Sequence, residues 1–474
     1  MAWRSELDAV DQKVLPPDPD VMSAIGLSHD LTSAVADLVD NSIDAGASSI
    51  LIRIVLLNGK PVSFLLLDNG RGMSEPQLDQ AMTVGKRRTY AKADLGFFGM
   101  GLKAASFSQA DVLTVVSRTV GGSPAGRRWR RDTRNFTCDV IDQSQAGELL
   151  DATPVSAGSG TVVRWDGVRE FPSTDNSNIV DDYLARTIHQ IRAHLGTTLH
   201  QILAGGELTL TIDAVEATDN RSGPPQTIEP IDPFGYRHSG DSRYPKTLLA
   251  HVGDRSVELR CHIWPGRSEA LGFKLGGNPE THQGLYFYRN RRLLEVGGWK
   301  GAAVPHRRLR LARVAVDVSP VLDLINLNME KSAVQPKPEL VRAIEKATDS
   351  RGTTFSDYLR DAETAYRMSN VRDRKRTEVV QPGDGIAPEI KRAVADELPI
   401  VPGRAPLAIR WKNLHSDDLF EVDRQASTLW LNQRFRGAIL SGRRSSKNDA
   451  PLLKAALYLL LQDVFRGQAF GSRE

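Results

Sequence analysis

Cysteine is nearly missing from this chain: Cys138 and Cys261 are the only two in 474 residues. Far apart in sequence, they exclude a disulfide framework and fit a reducing cytosol. No cysteine or histidine falls at metal-ligand spacing, so a zinc finger is excluded as well. No apolar run approaches the ~18 residues that cross a bilayer, and the first residues carry no signal-peptide pattern. The expectation is a cytoplasmic protein with no membrane segment. Net charge is also small, at +3, too little to decide for nucleic acid. Aromatic residues make up only 6%, while 40% hydrophobic and 25% charged residues are the balance of a globular protein. The length exceeds one ordinary core and predicts two or three domains.

What is present is organised around residues 31–46, LTSAVADLVDNSIDAG. Leu31, Val35, Leu38 and Val39 recur at helical spacing and predict a buried stripe. Asp37, Asn41 and Asp44 stand at i, i+4 and i+7, so they share the other edge of the same helix. A carboxylate and a carboxamide one turn apart suit a divalent cation and a water that attacks a phosphate, because hard cations take oxygen ligands beside phosphate oxygens. A solvated polar face gives the same pattern.

Two glycine clusters answer this helix. VSFLLLD predicts a buried strand ending at Asp68, after which Gly70 and Gly72 allow a tight turn and a close approach of a flat ligand. In LGFFGMGLKAAS, Gly96, Gly99 and Gly101 run into a helix beginning near Leu102. Glycines before a helix N-terminus expose N–H groups to phosphates, and Lys103 adds a cation. The Walker A spacing is absent. A further element, Gly160–Thr161, opens the strand TVVRW.

In this order the four pieces resemble the GHKL ATPase superfamily of DNA gyrase, the ninety-kilodalton heat-shock chaperone, histidine kinases and MutL. AVADLVDNSIDAGA is most similar to the first motif of MutL- and MORC-type proteins. The resemblance implies an α+β protein: a Bergerat-type nucleotide-binding α/β sandwich, a transducer-like βαβ domain and a small C-terminal α/β tail. It implies that Asn41 binds Mg²⁺, with Asp44 and Ala45 completing the motif, and that Asp68 takes the adenine amino group. Gly70, Gly72 and Met73 would shape the adenine pocket, and Thr161 would reach the base through water. Gly96, Phe98, Gly99, Met100, Gly101, Leu102 and Lys103 would wrap the phosphates. One residue departs from the family: where Glu usually serves as general base, this chain has Asp37. Asp is shorter by one methylene, which moves its oxygen by ~1.5 Å, and such misplacement costs on the order of 10²-fold in rate. Slow turnover is the expectation.

Along the chain, the reading gives an N-terminal segment at 1–30, a nucleotide domain at 31–215, a joint at 216–245 and a transducer-like domain at 246–350. A helix and linker follow at 351–405 and a C-terminal domain at 406–474. The N-terminal segment is either a disordered leader or, as in dimerising relatives, an arm that covers the partner's nucleotide. Residues 84–98 read as a basic lid. Residues 127–141 read as one strand, whose Arg127, Arg128, Arg130 and Arg131 around Trp129 fit either a nucleic-acid surface or a charged sheet edge. HRRLRLAR at 306–313 reads as an exposed strand that, with Arg289, Arg291 and Arg292, offers a groove for DNA phosphates or a solvated face. Lys331 is the expected transducer lysine reaching the γ-phosphate. Leu452, Leu453, Ala456, Leu457, Leu460 and Leu461 make one broad apolar helix face, read as a dimerisation surface. The chain stops soon after that helix, leaving room for a longer natural protein.

Several relatives are set aside by missing parts: no histidine-bearing dimerisation helix, no acidic Toprim-like segment, no endonuclease motif of the MutL type, and no zinc reader domain. The expectation is an ATP- and Mg²⁺-dependent ATPase that closes as a homodimeric clamp, on double-stranded DNA, in bacterial genome maintenance or defence. A chaperone-like ATPase with a protein client, or an ATP-sensing scaffold with little turnover, remains open beside it.

Overall fold

The computed structural model describes residues 30–83, 101–133, 137–152, 155, 158–218, 221–223, 225–327, 333–370, 378–414, 418–442 and 444–466. The lid at 84–98 with Gly96, Phe98, Gly99 and Met100, the N-terminal segment up to residue 29, and Lys331 lie outside them. Two compact units divide the chain, Met1–Asn370 and Val371–Glu474.

The first unit opens with α1 (Leu31–Asp44), whose N-cap Asp30 accepts the Ser33 N–H at 2.8 Å. Next come β1 (Ser49–Leu57) and β2 (Lys60–Asp68), joined at Asn58 and Gly59, both at positive φ as an Asn-Gly hairpin requires. They are followed by α2 (Glu75–Met82), α3 (Gly101–Gln109), β3 (Ala110–Arg118), β4 (Ala125–Arg130), β5 (Asp139–Ile141), α4 (Gln143–Asp151) and β6 (Gly160–Val168). The layer ends with α5 (Ser177–Thr198), a short helix His200–Ala204, β7 (Thr209–Glu216), β8 (Arg221–Ser222) and β9 (Gln226–Thr227). Among the described residues the sheet runs β5-β4-β3-β6-β2-β1-β7-β8, with β9 also on β7. Its pairings are antiparallel except β1 with β7, which is parallel and carries the Arg53–Asp213 ion pair at 2.7 Å.

Strand periodicity sorts the side chains. Ile50, Ile52, Ile54, Phe64 and Leu66 join a core with α1, α3 and α5, whereas Leu51, Leu65 and Leu67 face Ala146 and Leu150 of α4. Both faces being covered explains why SILIRIVLL and VSFLLLD are nearly continuous apolar runs.

The second layer of this unit contains β10 (Lys246–Val252), β11 (Arg255–Ile263), β12 (Gly284–Arg289), β13 (Arg292–Glu295) and β14 (Ala312–Asp317), in the order β10-β11-β14-β12-β13. β12 runs parallel to β14. A hairpin of β15 (Ile325–Leu327) and β16 (Val334–Pro336) leads to α6 (Pro338–Glu345) and α7 (Phe355–Asn370). The described part of the joint read at 216–245 is packed: β9 pairs with β7, Ile228 is buried in the first core, and the Phe234 ring meets His262, Tyr286 and Tyr288 in tilted and edge-on contacts.

The arginine rows differ from the sequence reading. Residues 307–309 form a 3₁₀ turn and β14 starts only at Ala312, with Leu309 and Leu311 buried. Arg313 is wholly buried, donating to Pro233 O at 2.8 Å and to Gly272 O and Phe273 O. Arg289 and Arg292 are buried too, leaving Arg291 as the exposed member of that group. The single strand expected over 127–141 is two, β4 and β5. Within β4, Arg127 turns inward to Glu75 (2.8 Å) and Asp79 (2.7 Å), and Trp129 is buried. Arg127, Arg289, Arg292 and Arg313 are consumed inside the protein, so they form no phosphate-binding groove.

The second unit holds α8 (Pro388–Glu397), β17 (Ala408–Lys412), β18 (Phe420–Asp423), β19 (Thr428–Asn432) and α9 (Pro451–Leu460). The sheet order is β17-β19-β18, with β17 and β19 parallel. The stretch read as a linker up to 405 is structured. Pro388 starts α8, while Val379, Val380, Ile386 and Val394 share a core with Leu407, Ile409, Leu429 and Tyr458. Tyr458 and Lys454 form the inward side of α9, and Leu452 and Leu460 are 85% and 75% exposed.

Candidate nucleotide site

The site assembles at the end of β2. Asp68 is buried and accepts hydrogen bonds from Gly70 N (2.8 Å) and from Ser42 Oγ (2.9 Å), a side chain of α1. Burial raises its carboxyl above the ordinary value, and the donors of Gly70, Ser42 and Thr161 pull it partly back. Thr161 lies opposite Asp68 across β2 and β6, with its hydroxyl 2.9 Å from Ser117 Oγ. Ser117 in turn donates to Gly160 O and accepts from Met73 N at 2.8 Å. The carboxylate, the threonine and the turn are thus joined in one polar network inside an apolar sheet.

The turn is shaped by close approach. A Cβ on Gly72, at φ +66°, would fall 2.0 Å from Arg118 O, so a side chain there is excluded. A Cβ on Gly70 would meet Ala45 Cβ at 2.9 Å. The end of α1 latches this turn: Arg71 N donates to Ala45 O (3.0 Å) and the Arg71 guanidinium to Asp44 O (2.8 Å). Asp44 and Ala45 therefore hold the glycine turn through their carbonyls.

Around α1 the predicted stripe is buried, but so are Asp37, Asp40 and Ser42. Asp37 faces the start of α3: a Cβ on Gly101 would lie 3.6 Å from its Oδ2. Asn41, one turn further, is exposed, and Leu102 is half-buried. Lys103 does not extend toward this face. Its ammonium donates to Ala81 O (2.6 Å) and Thr83 O (2.8 Å) at the end of α2, and burial pushes it down to about 8. Its observed role is to tie α3 to α2.

Among the described residues no group of three or more His, Cys, Asp or Glu side chains could hold a metal ion by itself. A cation beside Asn41 would therefore need the oxygens of a bound phosphate as further ligands, which is how Mg²⁺ ordinarily binds. The close-packed glycine turn, the buried carboxylate with acceptor capacity, and a neutral oxygen donor next to a buried carboxylate fit a magnesium nucleotide.

Sequence reasoning missed three contributors: Ser42, Ser117 and the pair Asp40–Arg292. Arg292 Nε donates to Asp40 Oδ1 at 2.8 Å, with both side chains buried. The available signal was a charge flanked by apolar core residues, Val39 on one side and Leu293–Leu294 on the other.

The chain is similar to several known proteins. Residues 29–163 match the family model for the histidine kinase-, DNA gyrase B- and HSP90-like ATPase. The DNA mismatch repair protein MutL of Agrobacterium fabrum is 24% identical over 333 residues, 66% of this chain and 48% of that protein. MutL of Histophilus somni is 36% identical over 191 residues, 37% of this chain and 28% of its own. The chain thus spans less than half the length of these relatives. Among solved structures, the N-terminal domain of a DNA repair protein aligns over 75% of this chain and 99% of its own at 15% identity, with a TM-score of 0.42.

Proposed function

We propose that this chain, which carries a MutL-like nucleotide-binding domain of the GHKL superfamily, binds and hydrolyses ATP with Mg²⁺ and works as an ATP-gated homodimeric clamp. The observation that carries the reading is that α1 presents Asp37 and Asn41 while its Ser42 holds Asp68, so one helix joins the base-recognising and phosphate-facing ends. In this reading Asp68 accepts the adenine amino group, with Thr161 and the Gly70–Met73 turn beside it. Asn41 supplies an oxygen ligand, and Mg²⁺, when bound, offsets phosphate charge. Asp37 takes the proton of the attacking water; its shorter side chain makes turnover slow. The family likeness assigns the wrapping of the phosphates to Gly96, Phe98, Gly99, Met100, Gly101 and Leu102, and the contact with the γ-phosphate to Lys331.

Double-stranded DNA is the proposed cargo, because the relatives are DNA mismatch repair proteins. The apolar residues Leu452, Leu459 and Leu460 support a dimer. Genome maintenance or defence in a bacterial cytoplasm is the setting this reading suggests. Among the described residues no helix is long and apolar enough to cross a membrane. A protein client is the second reading, favoured by one observation: Arg127, Arg289, Arg292 and Arg313, four cations for which the sequence left DNA contact open, are buried.

The test is steady-state ATP hydrolysis with and without duplex DNA, for wild type and Asp37→Asn. The clamp reading expects DNA-stimulated turnover that is lost in the variant and DNA binding that weakens steeply with salt. Turnover indifferent to DNA selects the protein client. Binding without turnover in either protein leaves a nucleotide-gated scaffold.

A further inference from the structure

The hairpin β12–β13 joins the second layer to the helices of the first. Its turn residues Asn290 and Arg291 both sit at positive φ, +48° and +68°, the two-residue turn whose twist suits a tight hairpin. Arg291 donates to Gln201 O (2.7 Å) and to Glu207 (3.1 Å) around the short helix after α5. Gly205 makes room for it: a Cβ there would fall 2.4 Å from the guanidinium. Behind the turn, Tyr288 Oη lies 3.3 Å from His200 Nε2. Arg292 reaches furthest, placing its Nε 2.8 Å from Asp40 on α1 itself.

Asp40 stands between the two functional positions of that helix. It follows Asp37 by three residues and precedes Asn41 by one, so it points about 60° away from Asp37 on the side opposite Asn41. Arg292 and Asp40 are 4% and 0% exposed. A pair so desolvated holds its geometry firmly, because separating the charges leaves each without compensation. A rigid link of this kind makes a displacement of β13 a displacement of α1, and of Asp37 and Asn41 with it.

We propose that Asp40 and Arg292 are positioning residues that couple the β12–β13 hairpin to the helix carrying the hydrolytic groups, a role that rests on the ATPase reading above. Coupling is reciprocal: nucleotide binding at α1 stiffens the hairpin, and movement of the hairpin shifts the alignment of Asp37.

The test follows amide hydrogen exchange over 31–44, 65–73 and 284–295, with and without MgCl₂ and adenylyl imidodiphosphate, alongside steady-state turnover. Wild type should slow its exchange in all three segments. The double variant Asp40→Leu with Arg292→Met removes both charges, a replacement that buried pairs tolerate. It should keep the response at 31–44 and 65–73, lose it at 284–295, and turn over about tenfold more slowly. Arg292→Lys, which retains a cation able to reach the carboxylate, should recover most of both effects. If the double variant does not fold, Asp40→Ala with Arg292→Met, which also removes both charges and fills less volume, replaces it with the same expectation. A hairpin response unchanged in the charge-free variant overturns the coupling, and so does a wild type that responds at α1 but not at 284–295. A wild type that responds nowhere removes the nucleotide reading itself, and this proposal with it.

Discussion

The two large sheets of the first unit each bury a charge, and they treat it in opposite ways. In the second sheet, Arg313 is surrounded: Pro233 O, Gly272 O and Phe273 O accept from it, and the rings of Trp264, Phe273 and Tyr286 lie 5.1–5.5 Å from its guanidinium. In the first, Asp68 stops at the end of a strand beside a glycine turn, receiving Ser42, Gly70 and Thr161. A carboxylate has about four acceptor sites, so one is left for a ligand. A buried charge whose neighbours saturate it serves the fold. One left short of its capacity at the end of a sheet is, on the proposed reading, the one that serves a ligand.

This contrast can be broken at its sharpest point by Asn41→Ala. Because Asn41 is exposed, its unfolding midpoint should stay within experimental error, while the Mg²⁺-dependent part of ATP binding disappears in titration calorimetry. Unchanged binding would remove the metal role. Arg313→Met should do the reverse. It leaves the buried carbonyls of Gly272 and Phe273 without their donor, while Pro233 O keeps the Trp264 indole N–H at 2.9 Å, and should cost roughly 3–5 kcal/mol in denaturant unfolding, with ATP affinity unaffected in the fraction that folds.

Asp68→Asn tests both sides of the comparison at once. The carboxamide still accepts from Gly70, and the Ser42 hydroxyl can turn to accept instead, so stability should change by under about 1 kcal/mol. ATP affinity, measured by fluorescent-nucleotide displacement, should fall about tenfold or more through loss of the charged acceptor. The gentlest change is a slope. Lys103 titrates near 8 in the native state, below the ordinary lysine value of about 10.4 in the unfolded chain. Between those values the unfolded chain binds more protons, so this group makes stability rise with pH. In Lys103→Met that rise between pH 8 and pH 10 should flatten in thermal unfolding curves.

The parts of the site legible in the sequence are those set by local spacing. The stripe of Leu31, Val35, Leu38 and Val39 is buried as its period predicts, and VSFLLLD does end in a buried strand at Asp68. The need for glycine at 72 was also readable, although its cause, the approach of Arg118, lies 46 residues away and was not. What could not be read is the pairing of charges across long separations. Arg127 with Glu75, Arg292 with Asp40, and Arg313 with the 233 and 272–273 carbonyls each look from the sequence like surface cations, because a charged side chain carries no mark of the partner that desolvates it. For the same reason α1 was read as having one polar face, when its Asp37, Asp40 and Ser42 are all enclosed. The Pro- and Gly-rich stretch before 405 misled in another way, since Pro388 begins a helix there.

The parallel pairing of β1 with β7 carries a consequence for the order in which the protein is made. β1 and β2 are neighbours in sequence and form a hairpin at once, but the other edge of β1 waits for residues 160 positions later, where Asp213 meets Arg53. At a synthesis rate of about 5–20 residues per second, that edge stays open for roughly 8–32 s, longer than a hairpin or helix needs to form by several orders of magnitude. During that interval SILIRIVLL presents an apolar strand with unpaired backbone groups to anything nearby. Arg53, alone among its aliphatic neighbours, interrupts that edge with a charge while the nascent chain is incomplete, and in the finished protein the same charge closes it.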